Sequence, residues 1–524
     1  MKRILVIPTA GLATRLSPLN TYYPKGLIPL GDEPLIAKIL ALYRRTKWYR
    51  IVIIIPPHTR ARFTSLIQSF SSCFPIVLVE QETPNGLLDA IKKASSELND
   101  ADQIGIHLAD TLLQKVFVEK DFANSFVLTG IVNSTQDWCM AEISQDRVLR
   151  ALYDKPAHSQ LQEAIAGVYF FSDAQLFLGA LAAVPKALDI SAVIGKYIQS
   201  TSIYAQLRSD WQDAGQIQHL HSVEEAFCTQ KKVKVFRAGQ SVIKCSHSKS
   251  FAAEQYFYRH TRSPQSFPRL IGATRHKLET AYCPLRSLAY YGLYEPMNVL
   301  AIQHINAGLW HHMAESFYTG KVYCSDAQAQ TNWMYGERVV LLVEETMPEW
   351  ATIDDVKLNN HKIYGWPLLR TAILKRAIHL AKTARMAHIH GDFHLANILY
   401  DPVSHFFLLV DPRGMWGDQY SIYGDIRYDI AKFLHSFHGG YEYIKRGLSL
   451  FQKVATQEYV LSYPSDPWNC VLLIDQLIKK YQISLDDVLW IEGLCFLSMC
   501  RCYTNKSLRA QFFLQGLYLL NQQL

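Results

Sequence analysis

Two continuous apolar runs with a helix-like stretch between them place the strongest constraint on how this chain can fold. Residues 3–8 and 51–55 show no alternation of polar and apolar side chains, which predicts strands buried on both faces. Between them, 34–45 carries apolar residues at helical spacing, so the order is βαβ. Further apolar runs at 76–79, 104–108 and 126–132 alternate with helix-like stretches such as 87–98. We therefore predict an α/β domain with a mostly parallel, doubly wound sheet covered on both faces.

Two domains are expected, because 524 residues exceed what one hydrophobic core usually serves. The α/β pattern ends with a helix-like stretch at 217–230 and a basic run at 231–234. A short strand at 241–245 then begins a helix-rich region, notably over 365–387, 424–437 and 488–523. We place the first domain at 1–230 and the second at 231–524.

The composition excludes several classes of protein. With 49% apolar and 19% charged residues, the chain is unlike disordered or fibrous sequences. Its apolar runs fall far short of the ~20 residues of a membrane helix, and no signal-peptide core follows the basic start. The ten cysteines contain no CxxC pair, which indicates reduced thiols and no zinc site. We expect a cytoplasmic protein without membrane insertion.

The net charge of +7 is unevenly distributed along the chain. Residues 1–225 hold 21 Lys and Arg against 22 Asp and Glu, which leaves 32 against 24 in the remainder. An excess of this size in the second part suits phosphate-bearing ligands or an anionic surface. No dense run of Lys and Arg with interleaved aromatic residues marks a nucleic-acid surface, so no nucleic-acid partner is expected. An oligomer is compatible with the sequence.

A loop rich in small residues follows the first strand and begins a set of candidate site residues. At Ala10, Gly11 and Leu12 the backbone N–H groups can turn toward a triphosphate. Arg15 and Lys25 offer cations to the charge that builds on phosphates during displacement. Alone, such a loop is more often just a tight turn between a strand and a helix.

Further segments extend this set in chain order. Gln81 and Gly86 precede a helix and suit the reading of a base edge and the approach of a ribose. Asp110 ends an apolar strand, where open α/β sheets bind ligands. Asp110 and Asp213 come from distant segments, and two converging carboxylates can hold Mg²⁺. Taken singly, Asp213 reads as a turn residue and Lys155 as a surface lysine.

In this order the residues resemble the sugar-nucleotidyltransferase family, whose members show G-x-G-T-R-L, P-K-x-L, Q-x-x-P-x-G, G-D, E-K-P and W-x-D-x-G segments. The resemblance covers roughly 1–230 and implies a Rossmann-like fold. The resemblance implies that Gly11 and Arg15 bind the nucleoside triphosphate and that Lys25 stabilises the transferring phosphoryl group. It places Gln81 and Gly86 at the base. It further implies that Asp110 and Asp213 hold Mg²⁺ and that Lys155 binds the acceptor's phosphate.

The sequence departs from the family pattern at three positions. Ala13 replaces a loop glycine, Ala109 replaces the glycine of the metal segment, and Asp154 replaces the glutamate before Lys155. Because the first change could narrow the triphosphate loop, a non-catalytic nucleotide sensor that regulates the second domain stays open as an alternative.

A second set of chemistry-bearing residues lies in the other half of the chain. Asp392 is followed five residues later by Asn397, and Asp411 comes fourteen residues after that. A carboxylate on a loop can accept a hydroxyl proton, while an amide and a second carboxylate can ligate Mg²⁺. Upstream, Lys244 ends a strand-like run and Glu254 follows within a helix-like stretch, so an ion pair could fix the lysine on ATP phosphates.

This pattern, with H-G-D-x-H-x-x-N at its centre, resembles the aminoglycoside phosphotransferase and choline kinase families over roughly 235–460. It implies a two-lobed α+β kinase-like domain in which Asp392 is the catalytic base, Asn397 and Asp411 are Mg²⁺ ligands, and Lys244 with Glu254 serves the ATP phosphates. No G-x-G-x-x-G segment precedes Lys244. We expect His390 to be structural, and Asp425 and Asp429 to anchor the catalytic loop from a helix.

Together the two halves predict a bifunctional enzyme. ATP would phosphorylate a small alcohol or sugar, and a second NTP (CTP, UTP or dTTP) would then cap the product with release of pyrophosphate. By family analogy, the nucleotide-activated product would feed capsule or other surface-glycan synthesis. Phosphocholine or phosphoethanolamine in place of a sugar phosphate, and a protein kinase in place of a small-molecule kinase, remain open.

Overall fold

The computed structural model describes residues 1–157, 159–185, 189–220, 223, 234–319 and 326–524. The chain divides into two compact units, Met1–Cys228 and Thr229–Leu524. Of the helix predicted over 217–230, the structure describes the start, where a 3-10 turn spans Ile217–His219. Most of its remainder, and most of the basic run, lies outside the described residues. Within the described part of the chain, every helix is too short or too polar to cross a bilayer.

The first unit alternates strands and helices. Its strands are β1 (Arg3–Pro8), β2 (Pro29–Leu30), β3 (Glu33–Pro34), β4 (Arg50–Ile55), β5 (Ile76–Glu80), β6 (Gln103–His107), β7 (Thr111–Leu112), β8 (Phe126–Ile131), β9 (Cys139–Ile143), β10 (Leu149–Asp154), β11 (Glu163–Phe171), β12 (Tyr204–Leu207) and β13 (Gln212–Asp213). Its described α-helices are α1 (Leu19–Tyr22), α2 (Leu35–Leu42), α3 (Arg60–Ser69), α4 (Leu87–Lys93), α5 (Ser95–Leu98), α6 (Ala174–Ala183) and α7 (Ile190–Tyr197).

A four-stranded parallel block in the order β6-β1-β4-β5 forms one half of the main sheet. Val6 of β1 pairs with Val52 on one side and with Ile106 on the other. The sheet is covered on both faces, because Ile4 and Val6 are buried on one face and Leu5 and Ile7 on the other. The strand order reverses between β1 and β6, and α/β sheets bind ligands outside the carboxyl ends of the strands at such a switch point.

The other half of the sheet departs from the prediction of a mostly parallel arrangement. Strand β11 pairs antiparallel with β6, β8 and β9, and β9 pairs antiparallel with β10, while β12 is parallel to β8. For β9 and β10 the physical reason is the length of their connection, because 144–148 is too short for the crossover that a parallel pair needs. The predicted helix over 87–98 is also divided, into α4 and α5.

The second unit begins with strands and continues mainly as helices. Its strands are β14 (Lys234–Ala238), β15 (Ser241–Cys245), β16 (Leu270–Thr274), β17 (Lys277–Ala281), β18 (Arg286–Ser287), β19 (Asp355–Leu358), β20 (His361–Tyr364), β21 (Met386–His388), β22 (Ile398–Asp401), β23 (Phe406–Leu409), β24 (Met415–Trp416), β25 (Gln419–Tyr420), β26 (Tyr423–Asp425), β27 (Leu450–Ala455) and β28 (Glu458–Ser462). Its described α-helices are α8 (Lys249–His260), α9 (Leu288–Tyr294), α10 (Val299–Ser316), α11 (Ala327–Tyr335), α12 (Glu337–Thr346), α13 (Trp366–Lys382), α14 (Ile426–Phe437), α15 (Tyr441–Arg446), α16 (Cys470–Leu473), α17 (Asp475–Tyr481), α18 (Leu485–Met499) and α19 (Lys506–Asn521).

An antiparallel sheet in the order β14-β15-β17-β16, with α8 following β15, opens this unit. Helix α14, whose residues are all buried, lies in the helix-rich remainder and packs against α18. The helical region predicted over 488–523 is two helices, because Asn505 caps a new one: its side-chain oxygen accepts the N–H of Leu508 at 3.0 Å. Gly493 and Gly516 let α18 and α19 approach closely, since a Cβ at either would lie 2.8 Å from a leucine of the other helix.

Candidate functional site

The loop that leaves β1 holds a residue in a strained backbone conformation. Ala13 has φ 50°, in the left-handed region that glycine adopts freely and that costs a residue with a Cβ about 1–2 kcal/mol. The N–H of Leu16 donates to the carbonyl of Ala13 at 2.9 Å and closes a 3-10 turn. At Gly11 an added Cβ would meet nothing within 4 Å. The loop therefore keeps a conformation suited to glycine although alanine stands at position 13.

A cavity of about 300 Å³ opens beside this loop. Its lining comprises Ala10, Gly11, Leu12 and Ala13, the stretch 20–25, the turn 56–59, Arg62, Gln81, Glu82 and Pro84. Of the residues proposed from sequence, it brings together Ala10, Gly11, Leu12, Lys25 and Gln81, while Arg15, Gly86 and Lys155 lie outside the lining. The sequence reasoning missed the turn after β4, although β4 neighbours β1 and its carboxyl end must lie at the same edge of the sheet.

Gln81 is held in a fixed orientation within this lining. Its backbone N–H donates to Ile55 at 2.9 Å, and its side-chain amide donates to the buried carboxylate of Asp89 at 2.8 Å. Asp89 lies in α4, whose N-terminal cap is Gly86 at φ 92°. Gly86 thus serves the start of the helix that positions Asp89, and through it Gln81.

Asp110 and Asp213, predicted to converge, do so at Gly215. Strands β7 and β13 pair Thr111 with Asp213, and the N–H of Ala214 donates to the carbonyl of Asp110 at 2.8 Å. A Cβ at Gly215 would lie 2.6 Å from Oδ2 of Asp110 and 2.9 Å from Oδ1 of Asp213. Both carboxylates therefore lie against the same Cα, and glycine is needed there.

The charges around the two carboxylates differ. Lys25 Nζ lies 2.6 Å from Asp110 Oδ2. Burial by itself raises the pKa of Asp110, but the Lys25 ammonium, together with a backbone hydrogen bond and the Arg15 charge, outweighs burial and holds the pKa below its ordinary value. Burial, with the Asp110 charge, raises the pKa of Asp213, which accepts the N–H of Gly215 and contacts His219. Asp110 is therefore ionised, and a cation added beside Asp213 would favour the ionised form of Asp213 as well.

Hard oxygen donors of this kind fit Mg²⁺. The described residues contain no group of three or more His, Cys, Asp and Glu side chains placed for a metal. The pair would thus supply two carboxylates and leave other positions to phosphate oxygens and water, which is how Mg²⁺ is usually held. Arg15 is exposed on the 3-10 turn after the β1 loop, and its charge lowers the pKa of both carboxylates in part.

Lys155 stands on the exposed turn after β10 with φ 44°. Its N–H donates to the carbonyl of Trp138 at 3.0 Å, and the Trp138 ring packs edge-on against Trp211 at 5.0 Å. Trp211 in turn lies against Gly130, where a Cβ would fall 2.1 Å from the ring. Two tryptophans therefore link the Lys155 turn to the segment that carries Asp213.

In the second unit, Lys244 is shared by two carboxylates. At the end of β15, its Nζ donates to Glu254 of α8 at 2.7 Å and also to Asp411. Burial lowers the pKa of Lys244, but the charges of Asp411 and Glu254 raise it above its ordinary value, and burial raises the pKa of Glu254. The predicted Lys244–Glu254 pair is present, and Asp411 joins it.

Asp392 lies on a loop in contact with a buried lysine that the sequence reasoning missed. Lys432 Nζ of α14, only 4% exposed, lies 2.9 Å from Asp392 Oδ1. Burial raises the pKa of Asp392, but the charge and hydrogen bond of Lys432, together with His394 and His390, outweigh burial and hold the pKa below its ordinary value. Asn397 donates its side-chain amide to the carbonyl of Asp392 at 3.0 Å. The sequence offered no signal for it, because α14 also carries Arg427, Asp429 and His435, and nothing in that pattern singles out Lys432.

The loop is anchored from α14, as predicted. Asp429 accepts the N–H groups of His390 at 2.8 Å and Gly391 at 2.7 Å, and burial raises the pKa of Asp429 to about 7. Asp425 accepts from Arg427 and Tyr335. The prediction is therefore confirmed for Asp429 alone: within the described part of the chain, the hydrogen bonds of Asp425 go to Tyr335, Arg385 and Arg427 rather than to the loop.

His390 has a structural role, again as predicted, because its Nε2 donates a hydrogen bond to the carbonyl of Val410 at 2.9 Å. The N–H of Val410 donates to the carbonyl of Asn397 at 3.0 Å, which brings Asp411 next to Asn397. Before Lys244, β14 and β15 join through a two-residue turn with Gly239 at φ 60°, so a tight hairpin stands where kinases carry a glycine-rich loop.

A family match covers nearly all of the first unit. Residues 4–230 match the protein family described as Nucleotidyl transferase. The chain is similar to glucose-1-phosphate thymidylyltransferase of Xanthomonas campestris pv. campestris, with 27% identity over 231 residues that cover 41% of this chain and 77% of the relative. It is also similar to UTP–glucose-1-phosphate uridylyltransferase of Escherichia coli K12, with 26% identity over 233 residues, 40% of this chain and 74% of the relative.

Among solved structures, the chain is similar to a UTP-bound UGPase from Acinetobacter baumannii, with 16% identity, a TM-score of 0.38, and coverage of 44% of this chain and 95% of the other. The family match spans the loop after β1, the cavity and both carboxylates at Gly215. Residues 4–230 are therefore a nucleotidyl transferase domain with sugar-nucleotidyltransferase homologues.

Proposed function

We propose that the first unit transfers a nucleotidyl group from an NTP to a sugar phosphate and releases pyrophosphate. The observation that carries this is the convergence of Asp110 and Asp213 on Gly215, with Lys25 at 2.6 Å, beside the cavity lined by the loop after β1. The two named relatives act on glucose 1-phosphate by their names, which favours a sugar 1-phosphate as acceptor.

In this reaction an acceptor phosphate oxygen attacks the α-phosphorus of the NTP, and the bond to the departing pyrophosphate breaks with its electron pair. The backbone N–H groups of the loop after β1 bind the triphosphate, Arg15 and Lys25 stabilise the negative charge that develops, and Lys155 binds the acceptor's phosphate. Asp110 and Asp213 would hold Mg²⁺, which would supply positive charge to offset that of the phosphates. Gln81, oriented by Asp89, reads the base.

We further propose that the second unit phosphorylates a hydroxyl group of a small molecule with ATP. The supporting observations are two sets of contacts, Lys244 with Glu254 and Asp411, and Asn397 with Asp392. The backbone bond from Val410 to Asn397 brings the two sets next to each other. Asp392 would accept the hydroxyl proton, and Lys432 keeps it ionised for that task. Lys244 would bind ATP phosphates, and Asn397 and Asp411 would hold Mg²⁺ against them.

If the two units share a metabolite, their order is set by chemistry, because the first unit needs a phosphate that the second creates. The chain would then make an NDP-activated donor from a free hydroxyl compound in two steps. The strained Ala13 favours one alternative, a first unit that binds nucleotide without turning it over.

The nucleotidyl step is tested by pyrophosphate release from the full chain with Mg²⁺, a panel of sugar 1-phosphates with phosphocholine and phosphoethanolamine, and CTP, UTP or dTTP. We expect release with one combination and its loss in D110N. D100N removes a surface carboxylate paired with Lys2 and should behave as wild type. Nucleotide binding without pyrophosphate from any pair would establish the sensor alternative instead.

The kinase step is tested with labelled ATP and a library of hydroxyl metabolites. D392N should abolish phosphorylation and leave nucleotidyl transfer to a supplied sugar phosphate intact, while D110N should do the reverse. D401N, at a surface turn, is the matched control for D392N. Label that enters protein rather than a metabolite would indicate a protein kinase, and loss of both activities in either variant would refute the two-site proposal.

A further inference from the structure

An excess of positive charge lies beside Asp392 in the second unit. We name Arg338 of α12, Arg413 and Lys432 the basic cluster. The Lys432 ammonium is already paired with Asp392 at 2.9 Å. Within the stretches of chain that the structure describes, neither arginine forms an ion pair. The cluster thus holds three cations against one carboxylate, in surroundings where burial makes an uncompensated charge costly.

The backbone of Arg413 is hydrogen-bonded to the loop that carries Asp392. Its N–H donates to the carbonyl of His390 at 2.9 Å, and a Cβ added to Gly391 would lie 2.7 Å from the Arg413 Cβ. Its guanidinium donates to the hydroxyl of Tyr428 at 2.8 Å and to the sulfur of Met334 at 3.6 Å. Gly391 directly precedes Asp392 in the chain, so the Arg413 Cβ lies next to the residue before the proposed base.

Arg338 reaches the same place from α12. Its Nε donates to the carbonyl of Met334 at 3.3 Å, and its Nη2 donates to the hydroxyl of Ser498 at 3.1 Å. Both guanidinium groups therefore meet at Met334, and all their hydrogen bonds on the described part of the chain go to neutral groups. Burial, together with the charge of Arg413, lowers the pKa of Arg338 to about 10.

Neutral partners leave the charge of two guanidinium groups uncompensated next to a catalytic loop. A guanidinium presents a planar fork of donors that suits carboxylate and phosphate groups. An ammonium group such as that of choline, ethanolamine or an aminoglycoside would be repelled by these two guanidinium groups.

We propose that the hydroxyl compound phosphorylated by the second unit carries an anionic group, a carboxylate or a phosphate, which Arg338 and Arg413 bind while its hydroxyl faces Asp392. This rests on the proposed kinase function and names its substrate class. The hydroxyl oxygen forms a bond to the γ-phosphorus, the bond from that phosphorus to ADP breaks with its electron pair, and the hydroxyl proton passes to Asp392. The anionic group of the acceptor is unchanged.

The test uses the full-length protein, ATP and Mg²⁺, and four compounds on one sugar scaffold: glucose, glucosamine, glucuronate and glucose 6-phosphate. ADP release is measured for each. We expect kcat/KM to be at least 10-fold higher for an anionic compound than for glucose and glucosamine. Glucuronate and glucose 6-phosphate separate a carboxylate from a phosphate as the group recognised. Equal or better use of the neutral or amine compound would overturn the proposal.

Two arginine variants localise the effect. R338M and R413M keep the apolar stems, and each should raise KM for the anionic acceptor at least 10-fold with KM for ATP within 2-fold of wild type. R413K, which keeps the charge, should recover part of the loss. R370M removes an exposed arginine paired with Glu344 and should change nothing. A rise in KM for ATP instead would assign the cluster to nucleotide phosphates and refute the acceptor site.

A binding measurement separates this proposal from the kinase proposal. Calorimetric titration of the four compounds without ATP is run on wild type and on R413M and R413K, with circular dichroism to verify folding. Anion binding that R413M abolishes and R413K retains supports the site even if no compound turns over, in which case the kinase proposal fails alone. Absence of both turnover and R413-dependent anion binding overturns the anionic-acceptor proposal.

Discussion

Replacing Gly215 with alanine tests the carboxylate pair of the first unit without touching either carboxylate. The new Cβ would lie 2.6 Å from Oδ2 of Asp110 and 2.9 Å from Oδ1 of Asp213, whereas ordinary contacts begin at 3.4 Å. The two oxygens must retreat by about 0.8 Å and 0.5 Å. Neither can move freely, because Asp110 is held by Lys25 and Asp213 by the N–H of Gly215.

A displacement of that size is large for catalysis and modest for folding. Misplacement of a reacting group by about 1 Å can cost 10²-fold in rate, so kcat/KM for pyrophosphate release should fall by about 10- to 100-fold. Overpacking of this kind typically costs ~1–3 kcal/mol of stability. We also expect the Mg²⁺ concentration for half-maximal activity to rise, because the two carboxylates can no longer approach one cation as closely.

The assay is pyrophosphate release by the full chain over a range of Mg²⁺ concentrations, with G179A as the matched control. A Cβ at Gly179 would meet nothing within 4 Å, and alanine is the better helix former, so this variant should keep full activity. An unchanged kcat/KM and Mg²⁺ dependence in G215A would show that Asp110 and Asp213 do not form the reaction centre.

Three further predictions follow from single features. A13G should raise stability by about 1 kcal/mol, seen as a higher Tm, because it relieves the left-handed alanine; an unchanged or lower Tm would contradict the strain. K432M should abolish the proposed kinase activity and lower the free energy of unfolding of the second unit, measured in urea. The double variant K432M/D392N should recover that stability but not the activity. Additive losses of stability would mean that the two charges are not coupled. Burial lowers the pKa of His107 to about 4, so as the pH falls the unfolded chain binds a proton at this residue before the folded chain does. The free energy of unfolding should therefore drop by up to about 1.4 kcal/mol per pH unit between about pH 6.5 and pH 4. Hydrogen exchange of the β6 amides measures this, and H107Q should flatten the pH dependence.

The parallel half of the first unit could be predicted from sequence, because β1 and β4 are continuous apolar runs and only strands buried on both faces need such runs. The antiparallel half could not be predicted in the same way. Burial along β11 is also nearly continuous, so periodicity carries no information about its direction. Direction there is decided by short connections and by pairing with strands that come from elsewhere in the chain.

For the sites, sequence sufficed where a functional side chain ends a strand or stands on a loop of special composition. Asp110 follows the last strand of the parallel block, and Lys244 ends β15, so their positions could be anticipated. Lys432 could not, because its partner lies 40 residues earlier and only packing of α14 under the loop brings them together. Arg338 was missed for the same reason: its significance depends on Arg413, which lies 75 residues further along the chain.

The ammonium group of Lys244 serves carboxylates from two separate parts of the second unit. If the second unit binds ATP as proposed, at least one of these two contacts must break, because one ammonium group cannot keep both carboxylates and also reach phosphate oxygens. Under that proposal, nucleotide binding would exchange the partners of Lys244, and Asp411, the more exposed of its two carboxylates, would become available as a Mg²⁺ ligand. The free energy lost when Asp411 separates from Lys244 and the free energy gained when Asp411 binds Mg²⁺ would both involve the same carboxylate. Nucleotide binding and metal binding would therefore be coupled.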